Sequence, residues 1–558
     1  MNSSTRFACC AVAVVCFVIP LRADVKLPAI FGDHMILQQE AQLPVWGTAE
    51  PGEKVTVTIG AESGAATAGA DDKWMVKLAP LPAGTLPVTM TMTVTGKNTL
   101  KFGDVLVGDV WVCSGQSNME FALTSAYNSQ ADIARADDPQ LRIFRVKDKA
   151  SLEPVADMEG RWELASPASV PMFSAVAYYF GRELRSRFNR PIGLIGSYWG
   201  GTAAQSWVSF SGLQKDPPFT YYIGQYEKNV ADFPQASTDY PAKMAAYTSD
   251  MAQWQRTYGA ADEAAQKEWN AAVAVARAAN QVPPGQPKPA VSAPKPPIPP
   301  DGGKGGPIGL YNGMIAPLIP YAMKGVIWYQ GESNANNPTE YLTLFPRLIA
   351  DWREKWGQGD FPFVYVQLAK FNLPWIGATG WAHLREAQLK SLSVPNTGMA
   401  IAYDVGDPGN IHPKDKLDVG LRLALVAEHV AYGQNLVYSG PIYDSMKVVG
   451  NSVTLSFTQT GSGLVIGAAP WNAPGVVPPP KEKLVGFQIA GDDRKWVDAD
   501  AKIDGQSVIV LSPQVPQPVA ARYGWGNAPD CNLYNQEGLP ASPFRTDDWP
   551  EPPAAPKP

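Results

Sequence analysis

Apolar positions along this chain change their period from region to region, and each period predicts a different kind of element. Between Asp24 and Lys101 short runs alternate in steps of two, as in Lys54 to Ile59 and Pro87 to Val94, with Gly and Pro turns between them. A repeat of two sends successive side chains to opposite faces of a strand, so 24–101 reads as an N-terminal β-sandwich-like domain. Between Phe102 and Gly433, apolar runs such as Val105 to Cys113 alternate with helical stretches such as Ala175 to Asn189 and Tyr341 to Trp356. That alternation predicts an α/β fold over 102–433, a mostly parallel sheet with helices on both faces. Beyond Gln434, runs such as Val453 to Phe457 and Ser507 to Leu511 predict a C-terminal β-rich domain over 434–548. Residues 549–558 show no period and read as a disordered tail.

The α/β pattern is interrupted between Gln214 and Gly306. Ala242 to Asn280, rich in Ala, Gln, Glu and Lys, reads as one or two helices, and the proline-dense Gln281 to Pro300 cannot continue them. The 214–306 insertion is therefore a helical flap with a semi-rigid linker. At the other end of the chain, Met1 to Arg6 is a short cationic start, Phe7 to Leu21 is apolar, and Ala23 supplies a small residue before Asp24. This reads as a cleaved signal peptide over 1–23, too short in its apolar part to span a bilayer, and it predicts a periplasmic or extracellular protein without a membrane span in the mature chain.

Charge and cysteine content narrow the chemistry. Beyond residue 23, which removes Arg6 and Arg22, 44 basic residues face 52 acidic ones, a balance that argues against nucleic acid as a partner. Only Cys113 and Cys531 lie beyond the leader, so neither a disulfide framework nor a cysteine metal site is available, and Cys113 at a strand end reads as a buried free thiol. His34, next to Asp33, reads as a turn residue. Histidines this few and scattered give no metal spacing, and no metal or organic cofactor is expected.

The candidate chemistry lies at strand ends, where open α/β sheets bind their ligands. Gly115-Gln116-Ser117-Asn118-Met119 presents a serine where a strand breaks into a turn, a spacing that resembles a nucleophile elbow. Gly193 to Thr202 ends in the paired glycines Gly200 and Gly201, whose bare backbone can approach a ligand closely. Gly325 to Asn334 delivers Gln330 and Glu332 to a strand tip, and Ile401 to Pro413 brings His412 close behind Asp404 and Asp407. Ser117 and His412 are thus a candidate nucleophile and base. His383 and His429 sit inside helix-like stretches and suit packed or surface roles.

These blocks, in this order, resemble the sialate O-acetylesterase family of SGNH-type hydrolases. The resemblance is carried by Ser114 to Glu120, Trp328 to Asn334, Asn410 to Lys416 and the tail Arg522 to Arg545. It implies an SGNH-hydrolase-like core, a serine esterase acting on O-acetylated sugars, and an oxyanion hole made by the N–H of Ser117, a glycine N–H from Gly200 or Gly201, and the amide of Gln330, which stands where the pattern has asparagine. Where the pattern has an aspartate three residues before the histidine, this chain has Gly409. Asp407 is the preferred orienting acid, Glu332 and Asp404 are alternatives, and a serine–histidine dyad held by a backbone carbonyl is a further one. Trp199, Tyr329, Trp375 and Trp381 offer aromatic faces for a sugar. O-acetylated sialic acid leads as substrate, acetylated xylan or another polysaccharide is a second reading, and a non-catalytic carbohydrate-binding protein is a reading of another class.

Overall fold

A single long strand joins two parts of the molecule. The structure is a computed structural model that describes residues 24–82, 90–278, 284, 287, 289, 291–372, 379–467 and 482–550, so the leader 1–23, the start of the Pro87 to Val94 run, Trp375 and all but the first two residues of the expected tail lie outside the described residues. Strand β1 (Thr99–Gly115) begins as the partner of Met90–Thr95 in the N-terminal antiparallel sheet and is buried at every residue from Val105 onward. Continuous burial marks a strand covered on both faces. The boundary expected at Lys101 therefore falls inside β1: the change of period there marks a change of neighbours, not a break between elements.

The buried half of β1 is the centre of a mostly parallel sheet. The other strands are β2 (Asp138–Arg145), β3 (Trp162–Ala165), β4 (Ile192–Tyr198), β5 (Gly325–Tyr329), β6 (Phe363–Gln367) and β7 (Thr397–Ile401), in the spatial order β7-β6-β5-β1-β4-β2-β3. Only β3 runs antiparallel to its neighbour within this path. The register sets Gly115 beside Tyr198 on one side and Tyr329 on the other, so three strands end level with one another.

Besides two short helices at Ser129–Ala134 and Phe210–Leu213, the helices among the described residues are α1 (Ser117–Glu120), α2 (Ala175–Phe188), α3 (Thr220–Trp254), α4 (Ala260–Ala278), α5 (Pro338–Trp356), α6 (Gly380–Lys390) and α7 (Lys416–Val430). Apolar faces packed on the core set α2, α5, α6 and α7, while α3 and α4 belong to the insertion and are largely exposed. Trp111 packs edge-on against Phe180 of α2 at 5.0 Å, while Trp328 packs against Trp352 of α5 at 5.8 Å. Trp328 is in register with Ser114, three residues from Trp111, so these contacts lie on opposite faces, and the sheet carries helices on both as its α/β pattern predicts. The helical part of the insertion starts earlier than its composition suggests. Its first helix begins at Thr220, well before Ala242, and continues through Pro234 and Pro241, residues that normally end a helix by removing a donor. Among the described residues no helix is long and apolar enough to cross a membrane.

Both flanking β regions dock firmly on the core. On the N-terminal side Phe31 packs between Trp46 and Tyr321, with ring centroids 4.8 and 5.5 Å away, and the Tyr321 hydroxyl donates to Ile36 O at 2.8 Å. The C-terminal region holds two four-stranded antiparallel sheets. Arg545 grips Glu386 of α6 through Nε and Nη2, each at 3.0 Å, and Gln367 Nε2 donates to Ser542 Oγ at 2.9 Å. Trp549 packs at a tilt against Trp496, ring centroids 5.4 Å apart, so tertiary contacts reach into the segment read as tail.

Gly115 is the residue this arrangement tolerates least in change. Its φ of +141° suits glycine, and a Cβ there would lie 2.2 Å from Tyr329 O. Gly115→Ala is expected to destabilise the protein by about 2–5 kcal/mol, combining backbone strain with overpacking. A thermal or urea melt of the variant within the error of wild type would refute this.

Candidate active site

Ser117 opens α1 immediately beyond β1, and backbone bonds tie its turn to both neighbouring tips. Gln116 N donates to Tyr329 O at 3.0 Å, and Trp199 N donates to Gly115 O at 3.2 Å. The side chain of Gln116 completes the knot, its Oε1 accepting from Ser333 N at 3.1 Å. A sharp turn held on both sides gives Ser117 Oγ a fixed position at the carboxyl edge of the sheet.

His412 meets it there. The loop between β7 and α7 is shaped by the Asp407–Asn410 bridge and by Asn410 Oδ1, which accepts the His412 N–H at 3.0 Å. His412 Nε2 lies 2.8 Å from Ser117 Oγ, the separation of a nucleophile and its base. The imidazole is half-buried against Phe121, ring centroids 6.5 Å apart. Burial, and then the cation of Lys416, lower its pKa below the ordinary histidine value, so the ring stays neutral and able to accept a proton into mildly acidic solution. An open depression of about 490 Å³ borders His412, with Phe121, Tyr127, Asn410 and Lys414 also in its lining.

The carboxylates proposed to orient His412 are placed elsewhere. Asp404 is buried in a bidentate pair with Arg422, at 2.5 and 2.8 Å, and accepts from the Tyr534 hydroxyl at 3.1 Å. It clamps the C-terminal region and α7 to the end of β7. Asp407 Oδ1 accepts the Gly409 N–H of its own turn at 2.8 Å. Glu332 is buried behind Asn118, accepting from its Nδ2 at 2.5 Å. No carboxylate among the described residues is hydrogen-bonded to the His412 ring, so the geometry shown is a serine–histidine dyad.

The expected oxyanion donors divide in the same way. The Ser117 N–H stands in the first turn of α1, where a helix offers no internal acceptor. Gly200 is adjacent to it: a Cβ on Gly200 would sit 3.2 Å from Ser117 Cβ. Its N–H, however, donates to Glu120 Oε2 at 2.6 Å. Gly201, with φ of +76°, completes the turn beside Lys304, whose Nζ donates to Gly200 O at 2.9 Å. Gln330 is not brought to this side. It is wholly buried, its Nε2 donates to Asn334 Oδ1 at 2.7 Å and Thr202 O at 3.3 Å, and its Oε1 accepts from Tyr341. The longer glutamine side chain turns into the wall beneath the site and satisfies its polar atoms there.

Of the aromatic platform, Tyr329 and Trp381 are core residues, and Trp199 alone of the described candidates is partly exposed. Sequence reasoning missed Asn118, Glu120 and Lys416. All lie inside the blocks quoted above, but what marks them is burial or aim at the nucleophile, which only the fold reveals. Cys113 and Cys531 are both buried free thiols.

Comparison with known proteins places the chain among carbohydrate esterases. A family model described as carbohydrate esterase, sialic acid-specific acetylesterase, matches residues 306–428. The rat and human sialate O-acetylesterases are each 29% identical to this chain over 93% of it, covering 94% and 92% of their own lengths. A crystal structure of a carbohydrate acetylesterase from Xanthomonas citri, 35% identical, superposes with a TM-score of 0.74 over 94% of this chain and all of that one.

Two outcomes follow from the site. Because His412 must be neutral to take the Ser117 proton and its pKa is depressed, kcat/KM for a small activated ester is expected to rise with pH to a plateau, with a midpoint below the ordinary histidine value of about 6.5. A midpoint above that value would contradict the electrostatics described. Gly200→Ala forces a methyl group against Glu120 and Ser117, and is expected to cut kcat by about 10²-fold or more with little change in melting temperature; unchanged kcat would show that the Gly200 turn plays no part.

Proposed function

The chain belongs to the sialate O-acetylesterase family of carbohydrate esterases, and from that premise we propose that its Ser117–His412 pair removes O-acetyl groups from sugars, with O-acetylated sialic acid as the substrate class. It is a carboxylic ester hydrolase. The observation that carries the assignment of residues is the 2.8 Å contact between Oγ and Nε2 at the level tips of three parallel strands.

The reaction runs in two halves. Oγ bonds to the acetyl carbon as His412 Nε2 takes its proton, and the carbonyl oxygen becomes an oxyanion received by the Ser117 N–H and the Gly200–Gly201 turn. Collapse breaks the bond between acetyl carbon and sugar oxygen, and His412 returns its proton to that oxygen. Water then adds to acetyl-Ser117, giving its proton to His412; the acyl–Oγ bond breaks, Oγ regains the proton, and acetate leaves. Glu120, which accepts the Gly200 N–H, yields that donor as the oxyanion forms. Metal is not needed for any of these steps.

Recognition of an anionic sugar calls for local cations, since the chain as a whole is acidic. Lys414 in the lining of the depression and Lys304 on the Gly200 turn supply them. The leader-like segment 1–23 supports export to the periplasm or the medium, where glycoconjugates are met.

Acetate release from an O-acetylated sialoglycoconjugate and from acetylated xylan, assayed side by side with Ser117→Ala as control, tests this reading. Release from the sialoglycoconjugate that is lost in the variant is the expected result. Release only from xylan would reassign the sugar, and release that survives in Ser117→Ala would remove the serine mechanism.

A further inference from the structure

Behind the dyad lies a buried polar group that the reaction as written does not use. Asn118 follows the nucleophile in sequence, and its carboxamide makes three contacts. Nδ2 donates to Glu332 Oε1 at 2.5 Å and to Ile411 O, the carbonyl just before His412, at 3.0 Å. Oδ1 accepts from Lys416 Nζ at 2.6 Å. Lys416 is completely buried, its ammonium also facing the rings of Phe121 at 4.8 Å and Tyr329 at 5.3 Å.

This arrangement is costly as a stabilising device. A lysine at the first residue of a 15-residue helix opposes the helix dipole, and burying an ammonium and a carboxylate together is often less favourable than an apolar replacement. Glu332 Oε2 is buried without a partner of its own. The chemistry of the amide gives the group a use. The two ends of a carboxamide have nearly the same shape, so its orientation is set by its neighbours alone. An ammonium only donates and a carboxylate only accepts, so Lys416 and Glu332 allow Asn118 one orientation, the one that points Nδ2 at the His412 loop.

We propose that Lys416, Asn118 and Glu332 form a positioning clamp, in which a cation and an anion fix the Asn118 amide and the amide ties the Ser117 turn to the His412 loop. This rests on the esterase reading of Ser117 and His412. It goes beyond that reading by giving the dyad, which has no carboxylate on its imidazole, a different means of holding the base in place. The charged groups around the imidazole are Lys416 and Asp415 at the start of α7, Lys414 and Asp407 in the loop, Glu120 in the serine's own turn, and Glu332 reached through Asn118. Of these, Lys416 acts on His412 most directly, lowering its pKa, while burial brings the pKa of Lys416 itself down to about 7.

The test uses the full chain and two readouts independent of any sugar: the rate of Ser117 labelling by a small fluorophosphonate, and the His412 pKa from imidazole NMR, assigned with His412→Ala. Lys416→Met is expected to slow labelling by about 10²-fold, as for a sub-ångström loss of alignment, and to raise the His412 pKa. Lys416→Arg should keep the pKa near wild type. Glu332→Gln, which keeps shape and removes the fixed acceptor, should slow labelling without raising that pKa. A residue important only for stability would move neither readout in a folded variant. An unmoved His412 pKa in folded Lys416→Met, or wild-type labelling in Glu332→Gln, overturns the clamp; should Lys416→Met not fold, Glu332→Gln decides alone. A wild type that is never labelled overturns the esterase reading, and the clamp with it.

Discussion

Gly115 stands in register with Tyr198 and with Tyr329, and the level ends of these three parallel strands are what the rest of the site is built upon. A strand one residue longer on either side would bury the Ser117 turn or tilt it away from the sheet edge. The register is fixed by continuous burial on both faces, because a slip by one residue would exchange the faces met by Trp111 and Trp328, each of which is packed into its own helix. Glycine at 115 then lets the chain turn against the Tyr329 carbonyl, which no larger residue could approach.

On that frame the electrostatics differ from a carboxylate-backed triad. Asp404, one of the candidate acids, is committed to Arg422 and Tyr534, where it joins α7 to the C-terminal β region. The imidazole instead feels a lysine, which favours its neutral form. A neutral base is ready to accept the serine proton, while the imidazolium that follows gains no fixed counter-charge. In such a site, alignment matters more than the strength of the base, and the polar contacts that tie the two loops together carry correspondingly more of the catalytic effect. Glu120 adds a second departure: its carboxylate accepts the Gly200 N–H, one of the donors proposed for the oxyanion.

Much of this was legible in the sequence because the hydrophobic period reports burial. Helices at Ala175–Phe188 and Pro338–Trp356 and the strand Ser507–Leu511 lie within a few residues of the apolar runs that announced them. Ser117 and His412 stood out because several strand-end blocks follow one another in order, although a small-residue turn after a strand is by itself a common strand ending. What escaped depends on direction rather than position. Period cannot show that β1 passes unbroken through Lys101 into a new sheet, or that Pro234 and Pro241 are tolerated within a mostly exposed helix. A glutamine at a strand tip reads as a donor, yet its extra methylene lets Gln330 fold into the wall and satisfy itself there. Asn118 and Lys416 gave no signal of their own, since a buried amide and a buried ammonium are recognisable only once their partners from distant blocks are brought beside them.

The central claim is that the acetyl group passes through Ser117 with His412 as its base. Rapid acid quench during turnover of an acetyl ester, followed by mass spectrometry of the peptide containing Ser117, addresses it most directly. The structure predicts an added acetyl group on Ser117 during turnover, absent when His412 is replaced by alanine. Sustained acetate release with no acetyl ever found on Ser117 would contradict it, and would mean that water attacks the ester directly.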